Sequence, residues 1–206
     1  MLVIARRENS DPKGSLAMRT LQRLGALIVV AFTLSAIGAA AASAAHFTAS
    51  ATGELEGSAL ETQVWTINAG QIKCSTAKTT GKIVSTMSVE QEVETKYSGC
   101  TAFGFASVHI SNERWLWTAN GTAHLKNTVV IDLTMGGCQT SFGPQTVGTI
   151  SFSNSGSNTI VTPHVTGMSY TTSPPHSLCG TAASNGTHTG AKLVKRVGGG
   201  WVSYTP

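Results

Sequence analysis

Three glutamates in "EQEVE", Glu90, Glu92 and Glu94, have the residue type and the spacing for carboxyl chemistry. Alternate residues of a β-strand share a face, so two of these carboxyls could point into one cleft. Retaining glycoside hydrolysis needs such a pair about 5 Å apart, whereas a hydrated strand face of glutamates needs no chemistry at all. A second set lies in "SPPHSLCG", where His176 precedes Cys179 by three residues. A thiol nucleophile requires a lowered pKa and a neighbouring base, and zinc requires closely spaced ligands such as CxxC or HxxxH. Neither zinc pattern occurs, and the equal spacing of His164, His176 and His188 does not by itself gather them at a metal. Trp115 and Trp117 in "ERWLWT" would share a strand face about 7 Å apart, a separation on which sugar rings can stack. Core burial explains that pair, and Trp65, more simply, because aromatic side chains carry large apolar areas.

The four cysteines, Cys74, Cys100, Cys138 and Cys179, read as two disulfides in an exported chain. Three pairings are open; Cys74 with Cys100 and Cys138 with Cys179 is preferred because each bond then ties neighbours along the chain. Oxidised, Cys179 has no thiolate, and His176 becomes a loop residue. No metal or cofactor is expected. GxSxG is absent, Asp132 is the one aspartate after residue 44, and no phosphate-cradling glycine loop is present.

The elements that must position these residues are strands. In "SVEQEVETKY", residues 88–97, Val89, Gln91, Val93, Thr95 and Tyr97 alternate with Ser88, Glu90, Glu92, Glu94 and Lys96. Strict alternation predicts a strand with one face on a core and one in water. Further strands are expected near 47–55, 60–68, 71–78, 82–87, 103–110, 113–118, 122–126, 128–135, 147–153, 158–171 and 187–197. Turn signals such as "ANGT", "NSGSN" and "SNGT" separate several of them. Many short strands with frequent turns predict an all-β fold, an antiparallel β-sandwich of jelly-roll or Ig-like type, with a β-barrel as the alternative. Pro163 cannot donate a ladder hydrogen bond, so its strand should be an edge or be bulged there.

Ahead of this domain, Arg19 and Arg23 precede an uncharged run from Leu24 to Ala45 that ends in small residues. That order is a secretory signal peptide, an N-terminal signal helix cleaved after the Ala42-Ser43-Ala44 site. It spans residues 1–44, with Met18 as a possible internal start. An uncleaved run of this length would instead anchor the chain in a membrane. Residues 45–197 then form one β domain, and 198–206 a flexible tail. Five cations (Arg6, Arg7, Lys13, Arg19, Arg23) and two acids (Glu8, Asp11) lie before residue 45, leaving nine cations against eight acids. That balance, with Lys192, Lys195 and Arg196 as the one tight basic group, excludes a nucleic-acid partner. Thr and Ser supply 44 of the remaining residues, a composition that hydrates a surface with hydroxyls and favours strands.

Two resemblances add to this reading. "TINAGQIKCSTAKTTG", "YSGCTAFGFASVHIS" and "HVTGMSYTT" before "SLCGTAASNGTHTG" resemble uncharacterised exported proteins of high-GC Gram-positive soil bacteria, which implies secretion and a β-rich fold without an activity. "EQEVE" resembles the E-x-D-x-E strand motif of laminarinase-type jelly-roll glycosidases, which implies Glu90 as nucleophile and Glu94 as acid/base. Glu92 and Gln91 depart from that motif. The expected function is an extracellular binding or envelope-associated module that meets a cell-envelope or extracellular glycan, with the glycoside hydrolase as the alternative.

Overall fold

The computed structural model describes residues 44–134, 136–173 and 180–206. Residues 1–43 of the expected signal segment, His176 and Cys179 lie outside the described residues. The chain begins with β1 (His46–Ala49), followed by β2 (Gly53–Ala59) and β3 (Gln63–Ile67), which together make one long stave bent at residues 60–62. It returns as β4 (Gly70–Ile83), and after the short β5 (Met87–Ser88) comes β6 (Glu90–Ala102). The next staves are β7 (Ala106–Ile110) with β8 (Glu113–Thr118), β9 (Thr122–Leu125) with β10 (Val129–Leu133), and β11 (Cys138–Phe142) with β12 (Gln145–Ser155). Then follow β13 (Asn158–Ser173), β14 (Ala183–Thr189) with β15 (Lys192–Arg196), and finally β16 (Val202–Thr205).

Each stave pairs antiparallel with the next, and the last returns to the first. β15 runs against β2 from Lys192↔Ala59 to Arg196↔Leu55, and β14 against β3 from Thr189↔Val64 to Thr187↔Thr66. The all-β, antiparallel expectation is met, and ladder closure makes the architecture the barrel alternative with an up-and-down strand order. Closure removes the edges that a sandwich would leave open. Eight staves enclose a space that side chains can fill, and here they fill it. Inward positions carry Leu55, Trp65, Ile72, Val93, Trp115, Leu125, Ile131, Phe142, Val165 and Met168, all buried. Outward positions of β4 and β6 carry Lys78, Thr80, Lys82, Glu92, Glu94 and Lys96. This is the inverse of the apolar-out alternation used by barrels that face lipid. Among the described residues no helix is long and apolar enough to cross a membrane.

A three-stranded sheet, β16–β1–β5, packs beside one end of the barrel. Phe47 of β1 meets Phe152 edge-on at 4.9 Å between ring centroids, and Tyr204 of β16 lies 5.2 Å from the same ring. Residues 198–206 therefore do not end as the expected tail: Val202–Thr205 pair with β1, and Asn154 bonds the Tyr204 backbone through both its amide atoms. Val89, expected on the core face, is exposed because the inward run of β6 begins only with Val93.

Pro163 is accommodated without being at an edge. On one side it faces Ile150, whose amide donates away from it to Gly121. On the other side β14 stops at Thr189↔His164 and β15 starts at Lys192↔Val161, so the proline falls opposite a gap in the wall. A bulge lies one stave away at Gly148. Its φ of +53° suits glycine, and a Cβ there would come within 2.7 Å of the Val165 Cα.

Cys74 and Cys100 form a disulfide between directly opposed residues of β4 and β6, as expected. Cys138 is also disulfide-bonded, and its expected partner, Cys179, lies outside the described residues. With a sequence separation of 26, the Cys74–Cys100 bond should stabilise by about 3.5 kcal/mol in the loop-entropy picture. Urea unfolding of the Cys74→Ala/Cys100→Ala variant should show a loss of that order. A loss below about 1 kcal/mol would mean that the unfolded chain is no freer without the bond.

Candidate functional site

The glutamates of β6 stand on the outer wall. Arg114 of β8, opposite Glu94 in the ladder, donates to Glu92 Oε1, while Glu94 accepts from Asn112 Nδ2 at 2.9 Å and lies 3.7 Å from Lys96 Nζ. Glu92 and Glu94 line an open groove of about 780 Å³ with Glu54, Lys82 and Arg114; Glu90 is not part of that lining. At about 3.4 Å per residue, the Glu90 and Glu94 backbones are about 14 Å apart along the strand. The wall thus places Glu92 and Glu94 in one groove, each with a cationic neighbour, and leaves Glu90 apart from them.

A second hollow, of about 590 Å³, adjoins the first and shares Glu56 and Lys78 with it. It forms where β4 and β6 change facing together. Buried Cys74 is followed by exposed Ser75 and Thr76 before buried Ala77, and Tyr97 by exposed Ser98 and Gly99 before buried Cys100. Trp115 and Trp117 are 2% and 3% exposed, with their faces in the core, where no external sugar can stack on them. Trp65 is fully buried.

The polar group that sequence reasoning missed is inside the barrel. Glu113 opens β8, and its strand parity with Trp115 and Trp117 carries it inward. Tyr97 of β6 donates its hydroxyl hydrogen to Glu113 Oε2 and accepts from Lys192 Nζ of β15 at 3.3 Å. His188 Nε2 of β14 lies 3.4 Å from the same hydroxyl, and the imidazole stacks on Trp65 with centroids 4.4 Å apart and planes 9° from parallel. Around this quartet, Gln63 spans the bend between β2 and β3 by donating to Glu61 O and Ala191 O. Thr79 and Thr95 join their hydroxyls across β4 and β6 at 3.0 Å.

Burial dominates the electrostatics. It raises the Glu113 carboxyl, against the opposing pull of Lys192, Tyr97 and Trp115, and it lowers the Lys192 ammonium, partly offset by Glu113. Burial and then the Lys192 charge hold His188 well below its ordinary range; burial and then Glu113 push Tyr97 well above its own. With the imidazole neutral, the 3.9 Å approach of His188 Nδ1 to Glu113 Oε1 is neither an ion pair nor a hydrogen bond. The quartet could relay a proton: Glu113, His188 and Lys192 are buried, while half-buried Tyr97 also lines the second hollow of the outer wall. The cavity beside it, lined by His188, Lys192 and Trp115 among others, holds about 10 Å³, the space of a single water at most.

The His188 shift has a sign that can be tested. Its folded-state pKa is lowered, so the unfolded chain binds the extra proton first, and stability falls as pH drops below about 6.5, by up to about 1.4 kcal/mol per pH unit. Glu113 acts in the opposite sense, since a raised carboxyl pKa favours the folded state in acid. The difference between wild type and His188→Phe isolates the imidazole. Urea midpoints measured from pH 7.5 to 5 should converge toward, or cross, those of the variant as acid is added; parallel curves would contradict a neutral buried imidazole.

Among the described residues no group of three or more His, Cys, Asp or Glu side chains is arranged to hold a metal ion. In comparisons with known proteins, no family model, curated protein or solved structure matches this chain.

Proposed function

We propose that the protein is an exported binding or envelope-associated module that acts without catalysis and meets an extracellular glycan on the outer wall of its barrel. One observation carries this reading: the interior is full and the exterior is hollowed. Two cavities lined by core side chains hold about 20 and 10 Å³, whereas the two adjoining wall grooves hold about 780 and 590 Å³. A barrel that carries a ligand inside needs a lumen of several hundred Å³; in this one, indoles and the polar quartet occupy that space. Export is supported by the leader-like run of residues 19–45 and by the disulfide chemistry, which an oxidising compartment favours.

The hydrolase alternative has less support. Its two carboxyls do not share a groove, and Arg114 neutralises the glutamate between them. Retention of the purified protein on insoluble envelope polysaccharide, with no new reducing ends released from a panel of glucans, is the expected result. Reducing-end release that disappears in Glu90→Gln would replace this reading with the hydrolase.

A further inference from the structure

We infer that the 590 Å³ hollow on the outer wall binds the carboxylate groups of an acidic polysaccharide, a proposal that rests on the glycan-binding reading above and names its ligand class. Three ammoniums line this hollow, from Lys78, Lys96 and Lys195, against a single carboxylate, Glu56. That carboxylate is already engaged by Lys195 at 3.1 Å. The counter-charge of Lys96, Glu94 at 3.7 Å, belongs to the neighbouring groove. Lys78 has no carboxylate partner among the described residues.

Ladder register sharpens the point. Lys78 and Lys96 stand directly opposite each other in the β4–β6 pair, and like charges in directly opposed positions destabilise a sheet. An anion seated between them would convert that repulsion into two charge-assisted hydrogen bonds. Around the ammoniums the lining combines the hydroxyls of Ser58, Thr76 and Ser98, the last two in contact with each other, with the apolar surfaces of Leu193 and Tyr97, a mixture that suits the polar edge and apolar face of a sugar ring. The volume lies in the range of sites that hold one small organic unit. The hollow adjoins the 780 Å³ groove at Glu56 and Lys78, and because that groove carries four carboxylates against three cations, the acidic unit is held at the hollow itself.

Affinity electrophoresis of the purified protein in gels containing polygalacturonate, with neutral dextran and insoluble envelope polysaccharide assayed in parallel, tests the proposal. Polygalacturonate should retard the protein, and raising salt from 50 to 500 mM should weaken the effect at least tenfold. Lys78→Glu/Lys96→Glu should lose at least tenfold in affinity while Lys126→Glu, outside the hollow, keeps it. All three proteins should show the same far-UV spectrum and a cooperative urea transition. Retention on neutral polysaccharide without retardation by polygalacturonate would overturn this inference and leave the glycan-binding module standing. Failure to bind any of the three would overturn both. Equal retardation of Lys78→Glu/Lys96→Glu and wild type would place the acidic ligand elsewhere and overturn the hollow as its site.

Discussion

Lys192→Ala should cost about 3–5 kcal/mol of folding free energy at neutral pH, the usual penalty for removing one partner of a buried charged pair. The substitution takes away the cation that lowers the Glu113 pKa and one of the donors to the Tyr97 hydroxyl. Glu113 is then left in the barrel with Tyr97 and Trp115 as its remaining polar partners. The loss should depend on pH with a definite sign. Without Lys192 the folded-state pKa of Glu113 rises further, so the stability carried by the protonated carboxyl is complete below its unfolded value near 4.5 and is lost as pH rises through the folded value. Denaturant unfolding should therefore show the defect smallest in acid and largest above neutrality. Removing both charges in Lys192→Met/Glu113→Gln should recover most of the loss, since an apolar or neutral replacement of a buried pair is close to neutral in stability. A Lys192→Ala cost under about 1 kcal/mol at every pH would mean that the ammonium reaches water.

Trp65→Ala should have an effect of the same order, about 3–5 kcal/mol, because a fully buried indole leaves both lost transfer energy and a cavity. Trp65 touches three rings: it stacks on His188 at 4.4 Å, meets Phe142 at 5.1 Å and meets Tyr97 edge-on at 6.3 Å. It therefore joins the apolar half of the core to the polar quartet. Beyond the stability loss, the variant should free the imidazole from its stacked position, and the His188 ring resonances should broaden or move toward exposed values. Unchanged His188 shifts in a destabilised Trp65→Ala protein would show that the stack does not hold the ring. Trp65→Phe should keep part of the stacking and recover more than half of the lost stability.

Strand existence was legible in the sequence wherever alternation was clean. "SVEQEVETKY" reads as one wet face and one packed face, and Val93, Thr95 and Tyr97 do turn inward while Glu92, Glu94 and Lys96 turn out. Closure into a barrel was not legible, since it depends on β14–β15 pairing with β2–β3 across more than a hundred residues. Short strands of low hydrophobicity were also missed. "CQTSF" of β11 alternates correctly, with Cys138, Thr140 and Phe142 buried, but lies between Gly136-Gly137 and Gly143-Pro144, which read as loop. β16 was read as a tail because three glycines precede it, although its aromatic residue finds Phe47 and Phe152.

The buried quartet was overlooked because charged residues are ordinarily assigned to water. Parity alone could have located two of its members. Glu113 is in phase with Trp115 and Trp117, and Lys192 is in phase with Val194, so a strand that buries those apolar side chains must bury the charge as well. Tyr97 was placed on the core face from the sequence, but its partners come from three strands on two other staves and no local pattern names them.

All of this depends on a wall without a seam. Closure fills the lumen with side chains and keeps Glu113 and Lys192 from water. Backbone NOEs across the β2–β15 junction measure it most directly: cross-strand contacts should link Ala59 with Lys192, Gly57 with Val194 and Leu55 with Arg196. If those contacts are missing while the β2–β4 and β13–β15 ladders are intact, the sheet is open at that junction and the closed barrel is wrong.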